Sequence, residues 1–142
     1  MGYSLAYSKA ILVLVFVGDK VAQGHYDFVP SKIVAESLNI PAPTVVKIMQ
    51  DLSRAGLIET REGARGGVRL ARPAVAISLA DVFNAVETGR PLFRRDFDMK
   101  VQGRKPERAE AAISDVFLRA ETAMRTALAE TTIGDLIAKL NS

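Results

Sequence analysis

Apolar residues fall in blocks of distinct period along the chain. In residues 5–17 the run Ile11-Leu12-Val13-Leu14-Val15-Phe16-Val17 has no polar face, which predicts a helix buried on both sides. The same β-branched run suits a buried strand, and its length favours the helix. Residues 18–30, with two glycines and mixed charges, read as a connection. Ser31 stands as the N-cap of a short second helix in which Ile33, Val34 and Leu38 recur at helical spacing. Asn39-Ile40-Pro41 breaks it, and Pro43 suits the first turn of a third helix, where a missing N–H costs nothing.

That third helix, over about residues 43–55, places Val45, Ile48, Met49 and Leu52 on one face and leaves Thr44, Lys47, Gln50, Asp51 and Arg54 outside. Gly56 ends it as a left-handed cap. Residues 57–61 and 68–71 form two strands around a basic, glycine-rich turn, which predicts a β-hairpin. Ser78 followed by Asp81 opens a fourth helix that ends near Gly89. In the long helical stretch 107–131, Ala109, Ile113, Val116, Ala120, Ala123 and Ala127 alternate spacings of four and three, the seam of a packed helix pair. Residues 132–140 make a short last helix.

Three helices and then a hairpin, with a four-residue proline-containing break between the second and third helices, is the order of a winged helix-turn-helix. The predicted fold class is therefore mainly α with a small β-hairpin: a winged helix-turn-helix followed by a long C-terminal dimerisation helix. The expected division is 1–89 for the DNA-binding unit, 90–106 for a basic connecting segment, and 107–142 for the dimerisation and last helices. The run Ile33-Val34-Ala35-Glu36, then Asn39-Ile40-Pro41, Lys47-Ile48-Met49, Leu52 and Ala55-Gly56-Leu57-Ile58 resembles the Rrf2 family of bacterial winged-helix transcription regulators, the IscR and NsrR type. Gly63, Gly66-Gly67, Leu70-Ala71 and Ile77 through Glu87 continue the resemblance, which is good over residues 4–89 and in outline beyond. It implies a sequence-specific, homodimeric repressor on a palindromic operator. Cluster-binding members resemble one another by three cysteines in the stretch matching residues 90–106, and this chain has none. Where the family commonly has arginine before its first wing glycine, Glu62 stands here between Arg61 and Arg65.

Composition narrows the chemistry. The chain has 142 residues, 49% apolar and 25% charged, the balance of a folded soluble domain. With no cysteine, a disulfide framework, a thiolate metal site and a cysteine nucleophile are excluded; the single histidine, His25, excludes paired-histidine metal sites. No cofactor, metal site or catalytic group is expected, and His25 reads as a surface residue. The longest apolar run, residues 10–17, is far short of a membrane span, and the N-terminal pattern suggests neither a signal peptide nor an acylation site, so a cytoplasmic location is expected. Net charge is +3, distributed as +3 over residues 1–73, −2 over 74–89, +4 over 90–108 and −2 over 109–142. Basicity thus collects in the first half and in one short stretch, as a polyanion-facing surface requires.

The expected partners are double-stranded DNA and a second copy of the chain. A helix N-terminus offers free N–H groups to phosphate and a helix fits the major groove, so Ser31, Thr44 and Lys47 are candidate contacts. Val46 meets a thymine methyl or packs locally. Gly66-Gly67 allow close backbone approach to a phosphate, with Arg61, Arg65 or Arg69 reaching to the backbone or minor groove. The alanine-rich seam is a dimer interface or an intramolecular contact with the first helix. Phe93, Arg94, Arg95 and Phe97 are candidates for an anionic or aromatic small-molecule effector, with a protein effector as the rival input and a solvated loop as the plain alternative. The alternative function is a winged-helix module that holds a protein partner through its hairpin or its basic segment.

Overall fold

The structure is a computed structural model that describes residues 5–142; the Met1-Gly2 end weighed for acylation lies outside the described residues. Helix α1, Leu5–Ala22, is the central element, with Ala10, Val13, Leu14, Val15 and Val17 buried. It runs past Gly18, where the sequence pattern predicts a connection. A Cβ on Gly18 would stand 2.8 Å from Ile137 Cδ1, so this glycine is a close-packing point inside the helix rather than its end. Beyond α1, Val29 pairs with Val68 through two backbone hydrogen bonds of 2.8 and 2.9 Å, a third short edge for the hairpin.

Helix α2, Ser31–Leu38, begins one residue earlier than expected: Pro30 is the N-cap, without a side-chain hydrogen bond, and Ser31 is the first helical residue. Asn39 turns the chain through a left-handed conformation (φ 52°), which buries Ile40 between α2 and α3. Helix α3 is Ala42–Arg54, with Val45, Ile48, Met49 and Leu52 in the core as their spacing predicts. Asp51 departs from prediction: it is buried, with both Lys47 and Arg54 paired to it. Gly56 is left-handed (φ 74°), and Leu57 N–H donates to Leu52 O at 3.0 Å while Gly56 N–H donates to Ser53 O at 3.0 Å, closing the free carbonyls of α3.

Strands β1, Ile58–Arg61, and β2, Gly67–Leu70, pair antiparallel in the register Ile58 with Leu70 and Arg61 with Gly67. A 3₁₀ turn, Ala74–Ala76, leads to α4, Leu79–Val86, opened by a capping box in which Asp81 N–H donates to Ser78 Oγ at 3.0 Å and Ser78 N–H to Asp81 Oδ2 at 2.9 Å. Residues 90–103 are irregular. Helix α5, Arg104–Ala129, is longest and buries none of its residues. It leans on α4 through Arg125, whose guanidinium sits 4.7 Å from the Phe83 ring centre and bonds Asn84 Oδ1. Helix α6, Ile133–Leu140, opens with a second capping box on Thr132 and Asp135. The expected division groups α6 with α5, yet α6 packs on α1 and the 3₁₀ turn, with Ile133 fully buried in the winged-helix core. Among the described residues no helix is long and apolar enough to cross a membrane.

Candidate nucleic-acid interface

The outer face of α3, the N-terminal end of α2 and the hairpin enclose one open groove of about 850 Å³. Ser31 and Lys32 line it from α2, Val46, Gln50, Ser53 and Arg54 from α3, and Arg61, Glu62, Gly66 and Gly67 from the wing. Of the residues predicted to touch DNA, the groove therefore gathers Ser31, Val46, Arg61, Gly66 and Gly67, while Thr44, Lys47, Arg65 and Arg69 stand outside its lining. Val46 is 50% exposed, so it is not a local packing residue. Gln50, Arg54 and Lys32 are groove residues that sequence reasoning did not single out, although the helical wheel already placed Gln50 and Arg54 on the free face.

Charges on α3 are organised around one acid. Lys47 Nζ lies 2.8 Å, and Arg54 Nη1 3.3 Å, from the same Asp51 oxygen, Oδ1. The cations stay exposed while the Asp51 side chain is only 10% exposed. The wing has its own anchor. The guanidinium carbons of Arg61 and Arg69 stand 4.0 and 4.4 Å from the Phe28 ring centre, and both groups reach Asp27, at 3.3 and 3.6 Å. Arg69 also pairs with Glu59 at 3.2 Å across the strands. Arg65, exposed on the turn, has no carboxylate partner among the described residues. The two wing glycines have a reason inside the chain: a Cβ on Gly67 would stand 2.2 Å from Val29 O, and one on Gly66 2.2 Å from Arg61 O.

On α5, Ala109, Ile113, Val116, Ala120, Ala123 and Ala127 are all exposed, so the chain does not cover this seam itself and a contact with α1 is not what it serves. Segment 90–103 does not gather its four effector candidates. Phe93 stacks on Phe117 of α5 with ring centres 4.5 Å apart, the backbone N–H of Leu92 donates to Glu121, and Arg94 pairs with Asp96 at 3.0 Å. The cavity beside Phe93 and Arg95 holds 10 Å³, room for about one water. His25 is exposed, as expected.

A family model described as Rrf2, iron-dependent transcriptional regulator, matches residues 4–139. The chain belongs to the Rrf2 family. Protein aau3 of Rhizobium meliloti is 46% identical over 54 residues, 38% of this chain and 35% of that protein. The HTH-type transcriptional regulator Rv1287 of Mycobacterium tuberculosis is 33% identical over 106 residues, 72% of this chain and 62% of that one. The match thus spans between about a third and three-fifths of these relatives' lengths. The solved structure of T. potens IscR superposes with a TM-score of 0.71 at 18% identity, covering 99% of this chain and 88% of that one, which supports the fold. The Rrf2 family is one of transcription regulators, not of enzymes. Iron in the family description does not fit this Rrf2 chain's donors: it has no cysteine, and among the described residues no three His, Asp or Glu side chains cluster as ligands.

Proposed function

We propose that this Rrf2 chain is a homodimeric repressor that binds a palindromic operator. The observation that carries the reading is the groove in which α3, the start of α2 and the wing face one another across a surface lined by cations, hydroxyls and an amide. A duplex seated there brings α3 to the major groove, where Thr44, Val46, Lys47 and Gln50 meet base edges and phosphates. Arg61, Arg65 and Arg69 then follow the backbone or adjacent minor groove, with Arg65 the cation that has no carboxylate to leave. The second copy docks along the α5 seam, where small alanines admit close approach and Ile113 and Val116 supply apolar area. Two copies related by a two-fold axis read two half-sites about 34 Å apart, hence a palindrome. A dimer held across a promoter blocks transcription by occupancy.

The experiment is selection of duplexes from a random pool, followed by binding of variants to the selected site. Lys47→Ala is expected to weaken binding about tenfold, and Arg65→Ala to reduce the salt slope by about one unit for each phosphate that the arginine neutralises in the wild type. Unchanged binding by the folded Lys47→Ala/Arg65→Ala variant rejects the placement. A reporter fused to a promoter carrying the selected site should rise in expression when the protein is removed.

A further inference from the structure

We propose that Asp51 is a positioning residue for DNA readout: it fixes the directions of Lys47 and Arg54 on the outer face of α3 and withholds one of their two charges from the phosphate field. The inference rests on α3 being the groove helix. Helix physics gives Asp51 one favourable partner, Arg54 three residues on, and two unfavourable features. It lies in the last turn of α3, where a carboxylate opposes the helix dipole, and the order Lys47 then Asp51 is the less favourable direction for a four-residue pair. A carboxylate taken out of water is costly unless paired, and this one is paired twice, with Lys47 Nζ at 2.8 Å and Arg54 Nη1 at 3.3 Å. Both cations converge on Oδ1, so one oxygen restrains two long, exposed side chains on the outer face of α3.

The consequence is selectivity. Fixed cations meet a matching pattern of phosphates and base edges without first being ordered, whereas a random duplex finds a group of net charge +1 in place of two mobile positive charges. Asp51 thus lowers affinity for non-operator DNA while the selected site keeps its contacts.

The test compares wild type with Asp51→Asn, which keeps the shape and removes the charge, on a duplex selected by the wild-type protein and on a scrambled duplex, over a range of salt. Scrambled-duplex affinity should rise about fivefold, its salt slope should steepen by about one unit per protomer, and the ratio of affinities for selected and scrambled duplexes should fall about fivefold. In a Lys47→Ala/Arg54→Ala background the same substitution should leave that ratio unchanged. An unaltered ratio in a single variant that melts like wild type overturns the proposal. A second measurement needs no variant: side-chain NMR of the free protein should find the Lys47 ammonium restrained, and a freely rotating one overturns the proposal as well. If Lys47→Ala changes binding to neither duplex, it is the reading of α3 as groove helix that fails; if it weakens binding while Asp51→Asn leaves the ratio alone, only the role of Asp51 fails.

Discussion

Ser78 and Thr132, each the N-cap of its own helix, are paired side by side as an antiparallel bridge. Leu79 N–H donates to Thr131 O at 2.9 Å and Ile133 N–H to Ile77 O at 2.8 Å, so the starts of α4 and α6 are joined by backbone although 53 residues lie between the two caps. The long excursion through α5 leaves and returns at this clasp.

Removing one of the two caps that meet at the clasp should loosen α6 first. Thr132→Ala deletes the hydroxyl that accepts from Asp135 N–H, and is expected to cost about 1 kcal/mol. Urea unfolding measures it, and hydrogen exchange should quicken in α6 before it quickens in α3.

The α5 seam makes a clean prediction for assembly. Because Ala120 is exposed in the single chain, Ala120→Glu should leave circular dichroism unchanged and yield monomers by sedimentation. A dimer of undiminished stability excludes the seam.

At the wing, Gly67→Ala places a methyl group against the Val29 carbonyl and forces a positive backbone angle (φ 149°) on an L residue. The expected destabilisation is about 2 to 3 kcal/mol, read by thermal unfolding, with DNA affinity falling because the strand carrying Arg69 shifts. By contrast Gly24→Ala, in open space, should cost far less, about 1 kcal/mol, from its positive φ alone.

Among the described residues, alkaline stability has one identifiable source. Tyr7 donates from its hydroxyl to Leu79 O at 2.7 Å and packs edge-on against Phe83, and burial pushes its pKa up to about 12. The neutral ring is thus favoured in the folded state: below pH 10 the contribution is complete, and it disappears as pH rises from 10 through about 12, when the unfolded chain ionises first. Tyr7→Phe should cost about 1 kcal/mol at neutral pH and flatten that alkaline decline. An unaltered pH profile for the variant excludes Tyr7 as the source.

Local chemistry determined what the sequence alone could say. Period and caps fix α3 through Val45, Ile48, Met49 and Leu52, α4 through Ser78 and Asp81, and the hairpin through its alternation, because each signal lies within one turn or one strand pair. Apart from Asp51, the exposed face of α3 follows from the same periodicity. Tertiary structure decided the rest, since it depends on residues far apart in the chain. Gly18 reads as the start of a connection until Ile137 is seen against it, and the sequence does not show that Val29 and Arg61 stand close beside Gly67 and Gly66. Asp51 reads as a solvated acid, although in the fold it is buried and paired with both Lys47 and Arg54. Arg61 and Arg69 become one unit only where folding slides Phe28 between them and sets Asp27 within reach of both, a contact no local spacing encodes.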